Sequence, residues 1–313
     1  MTAHGGTTLG TTLGTGPGTA LVLGATGTTG SRVASRLAAL GHRVRAASRG
    51  ATPVDGAEAV RFDWHDPATY EEALRGADRV YLVAPVDSAT PADVMLPFLA
   101  QARASGLRRA VLLSSSAIRA GGPVVGQVHR ELPGLFDEWA VLRPSWFMQN
   151  FTGEHPHARS VREEGVIRTA AGDGRVAFVD ADDIAAVAVH ALTDAKAPGT
   201  DLVVTGPEAL SHSEVAAVLT DVTGRAVVHR ALAYEEMRDR LAASMPVEYA
   251  AMLAGLDRSN AEGAEDRTTD TVRRLTGRPP RTFRDHVTRA VRAARVAQAA
   301  RVTAAAARAT PAV

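Results

Sequence analysis

One run of ten residues constrains this chain more than any other feature. Leu21-Val22-Leu23-Gly24-Ala25-Thr26-Gly27-Thr28-Thr29-Gly30 spaces three glycines as G-x-x-G-x-x-G directly after a short apolar stretch. Residues 19–23 read as a buried parallel strand, and residues 28–41 place Val33, Leu37 and Leu40 on one helical face. A strand, a glycine turn and a helix in that order make a phosphate-binding unit. The glycines let the backbone turn sharply and approach a pyrophosphate, whose charge rests on the helix N-terminus. Glycine-rich turns are common, so the flanking strand and helix carry the argument. Gly24, Thr26, Gly27, Thr28, Thr29 and Gly30 are the candidate pyrophosphate residues.

Strand and helix patterns then alternate. Strands are expected at 43–48, 59–63, 79–84, 109–114 and 139–143, with helices opening at Pro67 and running from about 91 to 105. This alternation predicts an α/β fold: a doubly wound, mostly parallel sheet of the Rossmann type, with ligands beyond the carboxyl ends of its strands. After Pro144 the pattern loosens. Residues 202–205 look like a further strand, and Ser211-x-x-Glu214 fits a capping box at the start of a helix. Residues 232–290 read as largely helical, interrupted by Gly and Pro. The expected organisation is a disordered leader over 1–18, a dinucleotide-binding domain over 19–150 and a smaller, largely helical substrate lobe over 151–292. That lobe returns in places to the main sheet. An Ala/Arg-rich tail follows over 293–313, read as a solvated helix end rather than an interaction arm.

Composition excludes several classes of function. Lys plus Arg (35) balance Asp plus Glu (34), so no global field draws the chain to nucleic acid or membrane. The absence of cysteine rules out disulfides, thiolate catalysis and zinc–thiolate sites. No apolar stretch approaches a membrane span and the N-terminus lacks a signal-peptide core. The expectation is a cytoplasmic protein, monomer or homodimer, whose partner is a small-molecule substrate.

The end of the second strand selects the dinucleotide. NAD binders place an acid there to hold the ribose hydroxyls, whereas here Ser48-Arg49 occupies the position and no acid precedes Asp55. An arginine accepts a 2′-phosphate through charge-assisted bonds. NADP(H) is therefore the expected cofactor, with Ser48 and Arg49 at its phosphate. Asp63 and Trp64 close the third strand, where the adenine edge would lie. Two readings stand: Asp63 accepts from adenine with Trp64 stacking nearby, or Asp63 caps a turn and Trp64 packs on the surface. Ala84 and Pro85 end the fourth strand in the small residues that a cofactor wall needs.

These pieces together resemble the NmrA-like family of atypical short-chain dehydrogenases/reductases, and within it the branch of ergot-alkaloid-type reductases and small quinone reductases. The resemblance rests on 24–30, Ser48-Arg49, Leu112-Leu113-Ser114-Ser115, the LRPSWFMQNF run at 142–151, the DADDIA run at 180–185 and residues 276–283. It implies that Ser114, Ser115 and the segment from Pro144 to Phe147 line the nicotinamide end. It also implies a substrate pocket built from Trp146, Phe147, Met148, Asn150 and Phe151, with Asp182 and Asp183 as helix-start residues.

The chain departs from ordinary short-chain dehydrogenases at their Tyr-x-x-x-Lys pair. The corresponding segment is 125–129, where Val125 replaces the tyrosine and His129 the lysine. Losing a positioned general acid costs about 10²–10⁴ in rate. An iminium or strongly polarised acceptor would take hydride without a simultaneous proton. Alternatively His129 donates a proton, bonds the cofactor ribose as the lysine would, or simply packs, while Ser115 polarises a substrate oxygen. Glu154-His155-Pro156-His157 has the look of a metal clip but lacks an evident third ligand, so a surface loop is expected there and no metal. His212 and His229 are expected as surface or capping residues. The reading that results is an NADPH-dependent reductase of a small aromatic or heterocyclic metabolite, reducing a C=N, C=O or quinoid carbon in a biosynthetic tailoring step. Its rivals are an NADP-sensing regulator without turnover and a non-redox tailoring enzyme.

Overall fold

The computed structural model describes residues 18–86 and 88–309. All of the expected leader but Gly18 lies outside them. In chain order, β1 (Thr19–Leu23), α1 (Gly30–Ala39), β2 (Arg43–Ser48) and β3 (Glu58–Arg61) are followed by α2 (Tyr70–Leu74), β4 (Arg79–Leu82), α3 (Ala92–Ala104), β5 (Arg109–Leu113), α4 (Gly126–Leu135) and β6 (Glu138–Pro144). Next come α5 (Pro156–Glu164), β7 (Val166–Thr169), β8 (Arg175–Val176), α6 (Ala181–Thr193), β9 (Thr200–Val204), β10 (Leu210–Ser211), α7 (His212–Thr223) and β11 (Val228–Ala231). Four helices close the sequence: α8 (Tyr234–Ala242), α9 (Val247–Ala261), α10 (Thr271–Thr276) and α11 (Phe283–Ala309). The last of these continues as helix through most of the segment expected as a tail.

The chain divides into two units. The first holds residues up to Pro144 together with Ala181–Val204 and Asp270–Arg278; the second holds Ser145–Asp180, Thr205–Thr269 and the residues from Pro279 onward.

The first unit is built on one seven-stranded sheet in the order β3-β2-β1-β4-β5-β6-β9, with every neighbouring pair parallel. The order reverses between β1 and β4, which creates the crevice where such sheets take up ligands. The central strands β1, β4 and β5 are largely apolar runs because both faces of the sheet are covered there. Leu21, Leu23, Val80, Leu82, Leu112 and Val141 share one core with Met95, Phe98 and Leu99 of α3 and Val128 and Leu132 of α4. The helix expected from Pro67 opens as a single 3₁₀ turn over Pro67–Thr69, with α2 only five residues long. In α6, Asp182 and Asp183 stand in the first turn, Asp182 meeting Arg32 of α1 at 3.1 Å and Asp183 meeting Arg278 at 2.8 Å.

The second unit carries two strand pairs, β7 with β11 in parallel and β8 with β10 antiparallel, plus α5, α7, α8, α9 and α11. Its core gathers Met148, Phe151, Ile167, Phe178, Val215, Leu219 and Phe283. The capping box at Ser211 forms as read: the Ser211 hydroxyl accepts the Glu214 N–H at 3.2 Å, and the Glu214 carboxylate accepts the Ser211 N–H at 2.8 Å. Among the described residues no helix is long and apolar enough to cross a membrane.

Candidate functional site

The glycine turn leaves β1 at Gly24, whose φ of +62° lies in the left-handed region that favours glycine. Gly27 donates its N–H to the Gly24 carbonyl at 2.9 Å, and Ser31 donates to the Gly27 carbonyl at 3.1 Å. A side chain on Gly30 would run into the Gly24 carbonyl and stand 3.2 Å from the Ala25 Cα. Only a hydrogen there lets α1 begin directly against the turn. Thr26, Gly27 and Thr28 are exposed at its crest, while Thr29 is buried beside the fully buried Tyr81 of β4. Burial pushes the Tyr81 phenol up and the Thr29 hydroxyl opposes this. The result is a cradle shaped for a phosphate group at the sheet's switch point.

At the end of β2 the Ser48 hydroxyl accepts the Thr52 N–H at 3.0 Å, and the Ser48 carbonyl accepts the Ala51 N–H at 3.2 Å. Ala51 is held at φ +47°. Arg49 projects from this tight turn, exposed, and no carboxylate among the described residues pairs with it. Asp63 turns out to brace its own loop, its carboxylate accepting the His65 N–H at 3.0 Å. Trp64 corrects both sequence readings. It is neither a stacking platform nor a surface ring but is 8% exposed, packed edge-on against Phe62 and Phe98 with centroids at 4.9 and 5.2 Å. Its indole N–H donates to the Val83 carbonyl at 3.0 Å. It therefore supports the Val83-Ala84-Pro85 wall from within the core instead of offering a ring face to a ligand.

Beyond β5, Ser114 donates its N–H to the Leu142 carbonyl at 2.7 Å, while its buried hydroxyl has no partner in the protein. The Ser115 hydroxyl accepts the Ala117 N–H at 3.3 Å. Arg143, which sequence reasoning missed, organises this loop. Its guanidinium donates to the Ser116 carbonyl at 2.8 Å and the Ser115 carbonyl at 3.4 Å, and meets Asp201 at 2.6 Å. Arg143 falls within the 142–151 run, but its partner Asp201 lies 58 residues away and no local pattern marks the pair. His129 sits in α4 and donates its backbone N–H to the Val125 carbonyl, one turn back on the same face. It is buried, and its Nδ1 has no partner within the protein. Burial, reinforced by Arg143 and opposed by Asp201, holds its pKa below the usual imidazole value. Val125 is fully in the core. Just before it, Val124 adopts φ +53°, a conformation that costs a β-branched residue on the order of 1–3 kcal/mol. Pro144, the last residue of β6, accepts the Ser116 N–H at 2.9 Å.

In the second unit the segment after Pro144 divides by position. Trp146, Phe147 and Asn150 are half-buried, whereas Met148 and Phe151 are 1% and 4% exposed. Met148 and Phe151 are packed into the unit's own core, because residues 148–151 form a 3₁₀ turn that directs positions three apart to one side. His155 ends the short loop before α5 as its N-cap, its ring accepting the His157 N–H at 3.2 Å, and Pro156 and His157 open the helix. His212, expected at the surface, is 1% exposed and packs within 5.4 Å of His229 between ring centroids. Among the described residues no group of three or more His, Asp or Glu side chains is placed to hold a metal ion.

A switch-point glycine cradle, an exposed arginine at the end of β2 and orphaned buried polar atoms on Ser114 and His129 fit a dinucleotide, and define an NAD(P)H-dependent oxidoreductase. A family model described as NAD(P)H-binding matches residues 24–195, and one described as the NmrA-like family matches 138–278. The chain belongs to the NmrA-like family of atypical short-chain dehydrogenases/reductases. It is 45% identical over 264 residues to the uncharacterized oxidoreductase YesF of Bacillus subtilis, covering 84% of this chain and 92% of that protein. It is 38% identical over 280 residues to festuclavine synthase II of Penicillium roqueforti, covering 85% and 96%. The fold is shared with the NADPH-dependent quinone oxidoreductase of Escherichia coli solved with NADPH, at a TM-score of 0.73 and 24% identity, over 87% of this chain and 99% of the other.

Proposed function

We propose that this protein is an NADPH-dependent reductase of a small aromatic or heterocyclic metabolite that works without the tyrosine–lysine pair. The observation that carries the cofactor choice is Arg49: an exposed guanidinium on a turn pinned by Ser48, with no acid alongside. A 2′-phosphate gains charge-assisted bonds there, and the ribose hydroxyls of NAD find no carboxylate to accept from them. Gly24, Gly27 and Gly30, with Thr26, Thr28 and Thr29, hold the pyrophosphate. Ala84, Pro85, Ser114 and Pro144 face the rest of the cofactor. The reduced nicotinamide supplies hydride, and the chain supplies binding and orientation.

His129 suits the ribose role. Its depressed pKa keeps it neutral near pH 7, so it stands ready to exchange a hydrogen bond with a hydroxyl rather than to donate a proton. Trp146, Phe147 and Asn150 offer the half-buried aromatic and amide surface on which a flat substrate rests. The 45% identity to YesF, an oxidoreductase, supports the redox reading.

The test is NADPH oxidation by the purified chain with panels of imines, quinones and conjugated carbonyl compounds. Turnover with NADPH at least about tenfold better than with NADH is expected from one lost charge-assisted contact. Binding of NADPH with no oxidation against any acceptor would instead identify a cofactor sensor.

A further inference from the structure

Arg143 is placed to do more than close a loop. Side chains along β6 alternate between the two faces of the sheet, and Val141 shares one core with Val128 and Leu132 of α4. Arg143, two residues on, projects to that same face. Asp201 of β9 stands opposite Val141 in the register, and so faces α4 as well. The guanidinium gives each of its three nitrogens a separate acceptor. Nη1 meets the Asp201 carboxylate at 2.6 Å, Nη2 the Ser116 carbonyl at 2.8 Å and Nε the Ser115 carbonyl at 3.4 Å. Only a planar fork reaches all three at once. Its side chain is 12% exposed, and Asp201 supplies the counter-charge that a guanidinium so placed needs.

The loop gripped in this way prolongs the β5–β6 ladder. Ser114 and Ser116 donate their N–H groups to the Leu142 and Pro144 carbonyls at 2.7 and 2.9 Å. With those two N–H groups and the carbonyls of 115 and 116 all engaged, the backbone of Ser114 is fixed. Ser114 follows Leu112 on the face that α4 covers, and its buried hydroxyl has no partner in the protein. Nδ1 of His129, buried in α4, is the second such atom. Asp201 and Arg143 both act on that imidazole, Asp201 raising its pKa and Arg143 lowering it, within the larger depression that burial causes. The pair therefore sits beside both orphaned atoms.

We propose that Arg143 is a positioning residue for the nicotinamide half of the cofactor, holding the loop at Ser114–Ser116 where Ser114 and His129 can bond the nicotinamide riboside. The inference rests on the cofactor placement proposed above. Arg143 acts through the loop and touches no part of the dinucleotide itself. Its reach is local. β6 lies three strands from β1 and four from β2, about 14 and 19 Å away at the usual strand spacing, so the glycine cradle and the Arg49 turn do not depend on it. The backbone ladders of β6 with β5 and β9 need no side chain at 143.

Calorimetric titration with NADPH and with adenosine 2′,5′-bisphosphate, which carries the 2′-phosphate but no nicotinamide, separates the two ends of the site. In Arg143→Met the NADPH Kd should rise at least about tenfold while the bisphosphate Kd stays within about twofold. Arg143→Lys keeps the charge without the fork and should share the loss. In ¹⁵N spectra the His129 imidazole should titrate higher than wild type in Arg143→Met, lower in Asp201→Asn and unchanged in Arg143→Lys, a pattern that lost packing alone does not produce. Unchanged NADPH affinity in Arg143→Met or Arg143→Lys overturns the positioning role, as does equal weakening of both ligands or a His129 shift of the same sign in Arg143→Met and Asp201→Asn. A wild type that binds NADPH no more tightly than the bisphosphate overturns it with no variant needed, and leaves the cofactor placement at the adenine end standing. A wild type that binds neither ligand overturns that placement and the positioning role with it.

Discussion

The proposed cofactor contacts turn on single side chains, and two of them can be tested directly. Gly30 matters because a Cβ would occupy the space of the Gly24 carbonyl. Gly30→Ala therefore has to push α1 away from the turn. NADPH affinity should drop by at least about tenfold in a fluorescence titration, since the pyrophosphate is bound by the geometry of that junction. Arg49→Ala leaves the turn intact but removes the cation. A charge-assisted bond is worth about 1.5–3 kcal/mol, so the NADPH Kd should rise by roughly 10- to 100-fold while the NADH Kd stays unchanged. An equal effect on both cofactors would show that Arg49 does not meet the 2′-phosphate. Both residues stand out in the sequence because the roles proposed for them follow from backbone conformation and charge at a fixed place after a strand. The Arg143–Asp201 pair does not, since 58 residues separate its members and nothing local marks either partner.

At the scale of elements, the parallel strands were readable because burial on both faces leaves an unbroken apolar signature, as in β1 and β5. Short elements were not. The 148–151 turn is too brief to show a period, so the apolar run from Trp146 to Phe151 looked like one continuous pocket wall. Its 3₁₀ spacing sends Met148 and Phe151 inward and leaves Asn150 outward. The same reasoning separates Trp64 from Asp63. Helix α4 gives the clearest element-scale prediction. At its N-cap, Val125 stands where ordinary short-chain dehydrogenases carry the tyrosine, 4% exposed and packed in the sheet's core. Val125→Tyr cannot simply restore the usual acid, because the ring has no room where the valine sits. Overpacking should cost about 1–3 kcal/mol, seen as a lower thermal midpoint, with no gain in NADPH-dependent carbonyl reduction. A stable, more active variant would mean that the loop at 119–126, strained at Val124, can open to accept the ring.

At the scale of the molecule, the chain passes between its two units at 144/145, 180/181, 204/205, 269/270 and 278/279, so neither unit is a contiguous piece of sequence. Anything that melts the second unit therefore acts on segments tied into the first. The second unit contains such a vulnerability. His155, His157, His212 and His229 form a line of ring contacts with centroids 4.9, 6.5 and 5.4 Å apart. Burial lowers the pKa of all four, and pushes His157 and His212 down to about 3. Neighbouring imidazoles add repulsion at His157 and His212. A histidine whose folded pKa lies below its unfolded value leaves the unfolded chain binding the extra proton. Stability is thus complete above about pH 6.5 and declines as the pH falls toward 3. Asp257 works in the opposite direction. Burial raises its pKa to about 6, so below that value the folded state takes up the proton first and gains stability. At about 1.4 kcal/mol per unit of displacement, this one carboxyl offsets less than either His157 or His212 alone. The histidines win, and the thermal midpoint should hold steady from pH 8 to about 7, then fall progressively below about 6.5. His212→Leu, which keeps an apolar group against Phe151 and Phe178 and removes one titrating ring, should flatten that decline. Differential scanning calorimetry of the two proteins across this range decides the matter. A wild-type midpoint as high at pH 5 as at pH 7.5 would mean that the imidazoles take up protons without opening the fold.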